Sequence, residues 1–177
     1  VEEKLLTEKE YAQSTNIKET EVKKLVERSK LLVEFLEAIN SPKQFYIARD
    51  LDLDGPLVEL QQILGSVKDE EVAESVKFIV FTNLLAKPDN DMTRFIRKVK
   101  GIVKSEESKY LTDFIDKEIE IADEVLNSLP EEGKVTEDTI SEIRSNSTLK
   151  EKLQNTMEIA DNKVKANAVI NSSAQSG

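Results

Sequence analysis

The stretch from Glu70 to Lys87 constrains this chain most. Val72, Val76, Phe78, Ile79, Val80, Phe81, Leu84 and Leu85 make it apolar nearly all round at helical spacing. A helix of that kind is stable only at the centre of a core. Asp69 stands at its N-cap and Pro88 stops it. The rest of the chain must therefore supply amphipathic partners. With 34% charged residues, 5% aromatic residues, five Gly and four Pro, the composition favours helices over strands. An all-α fold follows. At 177 residues it is one medium domain or two small ones.

The partner helices can be placed from their stripes and stop signals. A first helix is expected near Glu2 to Ser14, and a second from about Glu19 to Ile39. The second carries Leu31, Leu32, Phe35, Leu36 and Ile39 inward, and Asn40-Ser41-Pro42 ends it. Ser41 should cap a short helix with Pro42 in its first position and Phe45, Ile47 and Ala48 along it. Gly55-Pro56 should open a helix over Leu57 to Leu64. After Pro88, Asn90 or Asp91 should cap Met92 to Lys104, with Met92, Phe95, Ile96, Val99 and Val103 inward. Ser105 should cap Glu106 to Leu129, whose stripe is Leu111, Phe114, Ile115, Ile119, Ala122, Val125 and Leu126. Pro130 and Gly133 break it, Thr136 starts a short helix, and Thr148 with Glu151 forms a capping box for a final one. The stripe of that last helix is Leu149, Leu153, Met157, Ala160, Val164 and Ala168. The last two long helices read as an antiparallel hairpin, or as half of a bundle that a second chain completes in a homodimer.

Charge is unevenly spread. The chain carries a net −10, but residues 87–104 hold six basic and two acidic groups, and residues 105–177 hold eight and sixteen. Phosphate binding depends on the local field within about a Debye length, roughly 8 Å at physiological salt. There is no Cys, so no disulfide and no thiolate site, which suits a reducing compartment. There is no His, so the commonest general base and metal ligand is missing. No run approaches the roughly 20 apolar residues that span a bilayer, and no membrane partner is expected. Adjacent acids such as Glu106-Glu107 and Glu131-Glu132 diverge on a helix. No catalytic constellation, cofactor loop or metal site is read here.

Asp50 to Gly55, DLDLDG, matches the first half of a calcium loop. Position 12 of such a loop should be a bidentate Glu, and here it is Gln61. Leu51 and Leu53 look like core anchors. An inter-helix turn without tight calcium binding is expected.

Thr7 to Arg28 reads as a short helix, a tight turn and a second helix. Tyr11 and Ala12 face inward from the first helix, Thr15 and Asn16 form the turn, and Ile17 lies beneath it. Val22, Leu25 and Val26 form the inner face of the second. Asn16 is the next-best residue after Gly for a left-handed turn position. This spacing fits a DNA-binding helix-turn-helix and equally a helical hairpin within a bundle. On the first reading Lys18, Lys23, Lys24 and Arg28 suit phosphates and Thr20 can touch a base edge, while Glu19, Glu21 and Glu27 oppose the field. Arg94, Arg97, Lys98 and Lys100, with Lys104, line the outside of the Met92–Lys104 helix with no acid among them. They are either a second phosphate-contacting surface or a partner for the acidic last third.

The run from Leu6 through Ser41–Phe45 to Asp91–Lys100 resembles the ParB-like chromosome and plasmid partition family. Its helix-turn-helix has the pattern carried here by Thr7, Glu10, Tyr11 and Ala12 and then by Val22, Leu25 and Val26. The resemblance covers about the first hundred residues. It implies a DNA-binding portion of a partition or regulatory protein, cytoplasmic and nucleoid-associated, with duplex DNA and a partition ATPase as partners. The nucleotide-binding, nuclease-like domain of that family would lie outside this chain, so no enzyme activity is expected within it. Residues 1–104 would form the DNA-binding core, and 105–177 an acidic helical hairpin for dimerisation or partner binding. Two other readings compete: a helical protein–protein interaction module, and a non-catalytic fragment of a ParB-domain nuclease.

Overall fold

The computed structural model describes residues 18–105 and 107–176, with side chains described as far as residue 169. Eight helices account for the regular structure, and no strand occurs among the described residues. They are α1 Glu19–Ala38, α2 Phe45–Leu51, α3 Asp54–Ser66, α4 Glu70–Ala86, α5 Met92–Val103, α6 Ser108–Asn127, α7 Glu137–Arg144 and α8 Ser147–Ser176. The chain is all-α. Thr7, Glu10, Tyr11, Ala12, Thr15, Asn16 and Ile17 of the expected helix-turn-helix lie outside the described residues.

The apolar helix α4 is the centre of the core. From Ile79 to Ala86 every residue is buried, and α1, α3, α6, α7 and α8 all pack on it. Phe81 meets Phe35 of α1 edge to face, with ring centroids 5.5 Å apart. Removing an aromatic ring at such a site typically costs about 3–5 kcal/mol. Asp69 caps α4 by accepting from the N–H groups of Glu71 and Val72. At the other end Lys87 takes a left-handed conformation (φ 49°) ahead of Pro88. The guanidinium of Arg144 donates from Nε to the Leu85 carbonyl and from Nη2 to that of Leu84, each at 3.1 Å. A residue of α7 thus satisfies carbonyls that the end of α4 leaves open.

One hydrophobic cluster runs from Leu31 on α1 to Ala160 on α8. The junction near residue 104 is therefore a helix-to-helix turn over a shared core. The beginning of α6 (Tyr110 to Lys117) and residues 156–163 of α8 line one cleft, and the end of α6 and start of α8 line another, so these helices run in opposite directions. From Leu149 to Ala160 the stripe of α8 is covered by this chain. Leu153 and Met157 have no exposed surface, and Leu149 and Ala160 are buried. Ala168 and Val169, further along α8, are exposed.

Several caps differ from the sequence expectation. Ser41 does not cap a helix: its hydroxyl donates to the Ile39 carbonyl, and α2 starts only at Phe45. The intervening Lys43 has a positive φ (65°), which a first helical turn cannot accept. Asn40 is also left-handed (φ 58°), so the Ser41 N–H reaches back to the Leu36 carbonyl and closes α1. Asn146, not Thr148, caps α8 by accepting from the Leu149 N–H. Ser105 accepts from Glu107 N–H, and α6 begins at Ser108. Asp91 and Thr136 cap α5 and α7 as expected, Thr136 in a reciprocal box with Thr139. Leu25, expected inward, is 43% exposed, because the buried stripe of α1 passes through Val22 and Val26 and leaves Leu25 on its flank.

The contact that positions the site is between α3 and α5. Gly55 lies against Thr93, Glu59 bonds Arg97 and Gln62 bonds Lys100. The separation along the chain is 38 residues in both bonded pairs, so the two helices run parallel in register. Gly55 permits the approach: a Cβ there would stand 2.5 Å from Thr93 Oγ1.

Candidate nucleic-acid interface

Helix α3 turns two sides toward basic neighbours. On one flank Arg28 Nε donates to Gln61 Oε1 at 3.4 Å, while Gln61 Nε2 donates to the Lys24 carbonyl and to Glu27 Oε2. On the other flank Arg97 donates through Nε and Nη2 to Glu59 Oε1, at 3.0 and 2.9 Å. Lys100 Nζ donates to Gln62 Oε1 at 2.8 Å. Gln61 and Gln62 are adjacent, so Arg28 of α1 and Lys100 of α5 reach neighbouring residues of one helix.

The positions expected to contact DNA are thereby sorted. Lys18, Thr20, Lys23 and Lys24 are exposed on the amino-terminal half of α1, with Arg28 half-buried where α1 meets α3. Arg94 is exposed on the first turn of α5. Arg97 is exposed yet ion-paired to Glu59, so it is not the unopposed charge that its sequence neighbourhood suggests. Lys98 is half-buried, its ammonium 5.9 Å from the centre of the Phe95 ring. Lys100 is half-buried, and Lys104 and Lys30 are exposed. Glu19, Glu21 and Glu27 are exposed on α1 and weaken the field on that flank.

Sequence reasoning missed Glu59, Gln61 and Gln62 as parts of this surface. In the sequence Gln61 stands out only as the twelfth position of a calcium loop. In the fold it lies along α3 and turns toward α1, while Asp52 takes a left-handed conformation (φ 53°) at the corner between α2 and α3. Among the described residues, no group of three or more acids is gathered as a metal site would require.

Away from this surface the charge is negative. Asp116, Glu120, Asp123 and Glu124 are exposed along α6. Between α1 and α4, Lys77 bridges Glu34 at 2.9 Å and Glu74 at 2.7 Å. A cleft of about 390 Å³ at the amino ends of α3 and α5 sets Asp52 and Asp91 against Lys87 and Arg144, and Arg144 is already committed to carbonyls. Inside the molecule, Glu118 of α6 is 1% exposed. Its Oε2 accepts from Asn83 Nδ2 at 3.4 Å, and its Oε1 has no partner among the described residues. Burial pushes this carboxyl up to about 8, opposed by the hydrogen bond from Asn83. No helix is long and apolar enough to cross a membrane among the described residues.

The fold and site together define an all-helical protein that gathers basic side chains from α1 and α5 along the flanks of α3. Comparison with protein-family models, curated proteins and solved structures finds no match to this chain.

Proposed function

We propose that this chain binds duplex DNA through the surface made by α1, α3 and α5, as part of a ParB-like partition or regulatory protein. The observation that carries the reading is the bridging role of α3. Its adjacent glutamines hold Arg28 of α1 and Lys100 of α5, so basic side chains from two helices far apart in sequence flank one helix. The partition assignment, with its ATPase partner, rests on the sequence pattern alone. Glutamates on α1 offset part of the field, so binding is weak and electrostatic, with Kd on the order of micromolar at physiological salt, as for non-specific DNA binding.

A salt-dependent titration of a labelled mixed-sequence duplex tests this. Each phosphate neutralised adds about 0.9 to the steepness of log K against log salt. Arg28→Gln and Lys100→Gln each flatten the slope by about that amount, whereas Thr20→Ala changes preference among sequences and leaves the slope unchanged. An absence of binding by the wild-type chain at low salt would leave the protein–protein interaction module as the better reading.

A further inference from the structure

We propose that Glu59 and Arg97 form a fixed fork for one backbone phosphate, with Arg97 as the contact and Glu59 as its positioning residue. The proposal rests on the duplex-binding reading above and assigns a residue that the sequence pattern does not point to. The pair is strongly asymmetric: the Glu59 side chain is 10% exposed and that of Arg97 is 60% exposed. Both hydrogen bonds fall on one carboxylate oxygen, and the other, Oε2, is buried without a partner among the described residues. If Arg97 swung away, a buried carboxylate would lose its counter-ion and both of these bonds, which is strongly unfavourable. The guanidinium is therefore pinned where it stands.

A guanidinium has five N–H donors. Glu59 takes Nε–H and one hydrogen of Nη2. The other edge, Nη1 with the second hydrogen of Nη2, is not taken up by Glu59, on a side chain that is 60% exposed. Two parallel N–H groups of this kind match two oxygens of a phosphate. On the same flank of α3, near the next turn of α5, Gln62 holds the Lys100 ammonium, which has further donors for the same or the next phosphate.

The arrangement separates geometry from charge. Glu59 cancels the charge of Arg97, so Arg97 contributes direction while Lys100 and Arg94 contribute the field. A lysine at position 97 keeps the ion pair but has no fork, since an ammonium is a point charge. A glutamine at position 59 still offers an oxygen to Nε and Nη2 but frees the positive charge.

The experiment is the duplex titration over a range of salt with wild type, Arg97→Lys and Glu59→Gln, each first checked by its melting curve. Arg97→Lys is expected to bind about tenfold more weakly with an unchanged salt slope, because a bidentate pair is lost and no charge is. Glu59→Gln is expected to bind several-fold more tightly at low salt, with a slope steeper by about 0.9. Wild-type binding with Arg97→Lys equal to it at every salt concentration would overturn the fork while sparing the interface. So would a slope left unchanged by Glu59→Gln. No binding by the wild-type chain would overturn the interface and the fork together.

Discussion

Glu59 and Glu118 are both buried glutamates on amphipathic helices, and they sit in opposite surroundings. Glu59 lies in the seam between α3 and α5 with a guanidinium across it. Glu118 of α6 faces α4, where the Asn83 amide is its one hydrogen-bond partner among the described residues. A buried carboxylate beside an arginine belongs to a charged surface and orients it. A buried carboxyl with an amide for company belongs to the core and holds its proton there. The first stands on the proposed working face of the molecule, and the second is a weakness in its interior.

The largest expected effect comes from the interior. The Glu118 carboxyl titrates near 4.5 when unperturbed and is pushed up to about 8 in the fold. The folded state therefore holds a proton that the unfolded chain releases. Stability from this group is full below about pH 4.5 and falls as pH rises through 8. The upper bound on the loss is roughly 5 kcal/mol, at about 1.4 kcal/mol per pK unit. Glu118→Gln should remove this loss, so the variant should be the more stable protein above pH 8. Urea unfolding of both proteins from pH 5 to pH 9 checks it, and parallel profiles would place Glu118 in a solvated setting.

The seam between α3 and α5 should answer to shape. Gly55→Ala places a Cβ 2.5 Å from Thr93 Oγ1, too close to stand without movement. A cost of about 1–3 kcal/mol is expected, and weaker duplex binding with it, because the parallel register that sets Glu59 against Arg97 is disturbed. The double variant Gly55→Ala, Thr93→Ala removes that oxygen and should recover most of both losses. Failure of the second change to rescue would show that the two helices can separate without consequence.

A smaller effect belongs to the glutamine bridge. Gln61→Ala removes the contacts to Arg28, the Lys24 carbonyl and Glu27, at a cost of about 1 kcal/mol or less on a partly exposed site. Its effect on duplex binding should exceed its effect on melting temperature. The reverse ratio would make Gln61 a structural strut alone.

The same comparison explains what the sequence reveals. The all-round apolar run gives α4 its place, and Asp69, Asp91 and Thr136 act as caps because their signals are local. Asn146 displaces Thr148 as the cap of α8 because two cap-forming residues compete within three positions, and only the backbone path decides. Glu118 falls in the stripe between Phe114 and Ala122, where a helix buries whatever it carries, so its burial is legible in the sequence. Asn83 is equally masked by its apolar neighbours. The pairing of Glu59 with Arg97 had no local signal. It depends on the register of two helices 38 residues apart along the chain. The four bases of α5, with Lys104 just past its end, are legible, but their division into a pinned arginine, a lysine over a ring and a lysine on a glutamine is not.

The most direct measurement is a charge-reversal map in one competition titration against a labelled duplex. Lys23→Glu tests α1, Arg94→Glu tests α5, and Lys152→Glu on α8, beside Glu124, is the control. If α1 and α5 contact one duplex, the first two variants should each bind at least about tenfold more weakly and each flatten the salt slope, while the control should match wild type. Equal loss from all three would mean that overall charge governs binding. Loss from only one of the first two would contradict the shared surface.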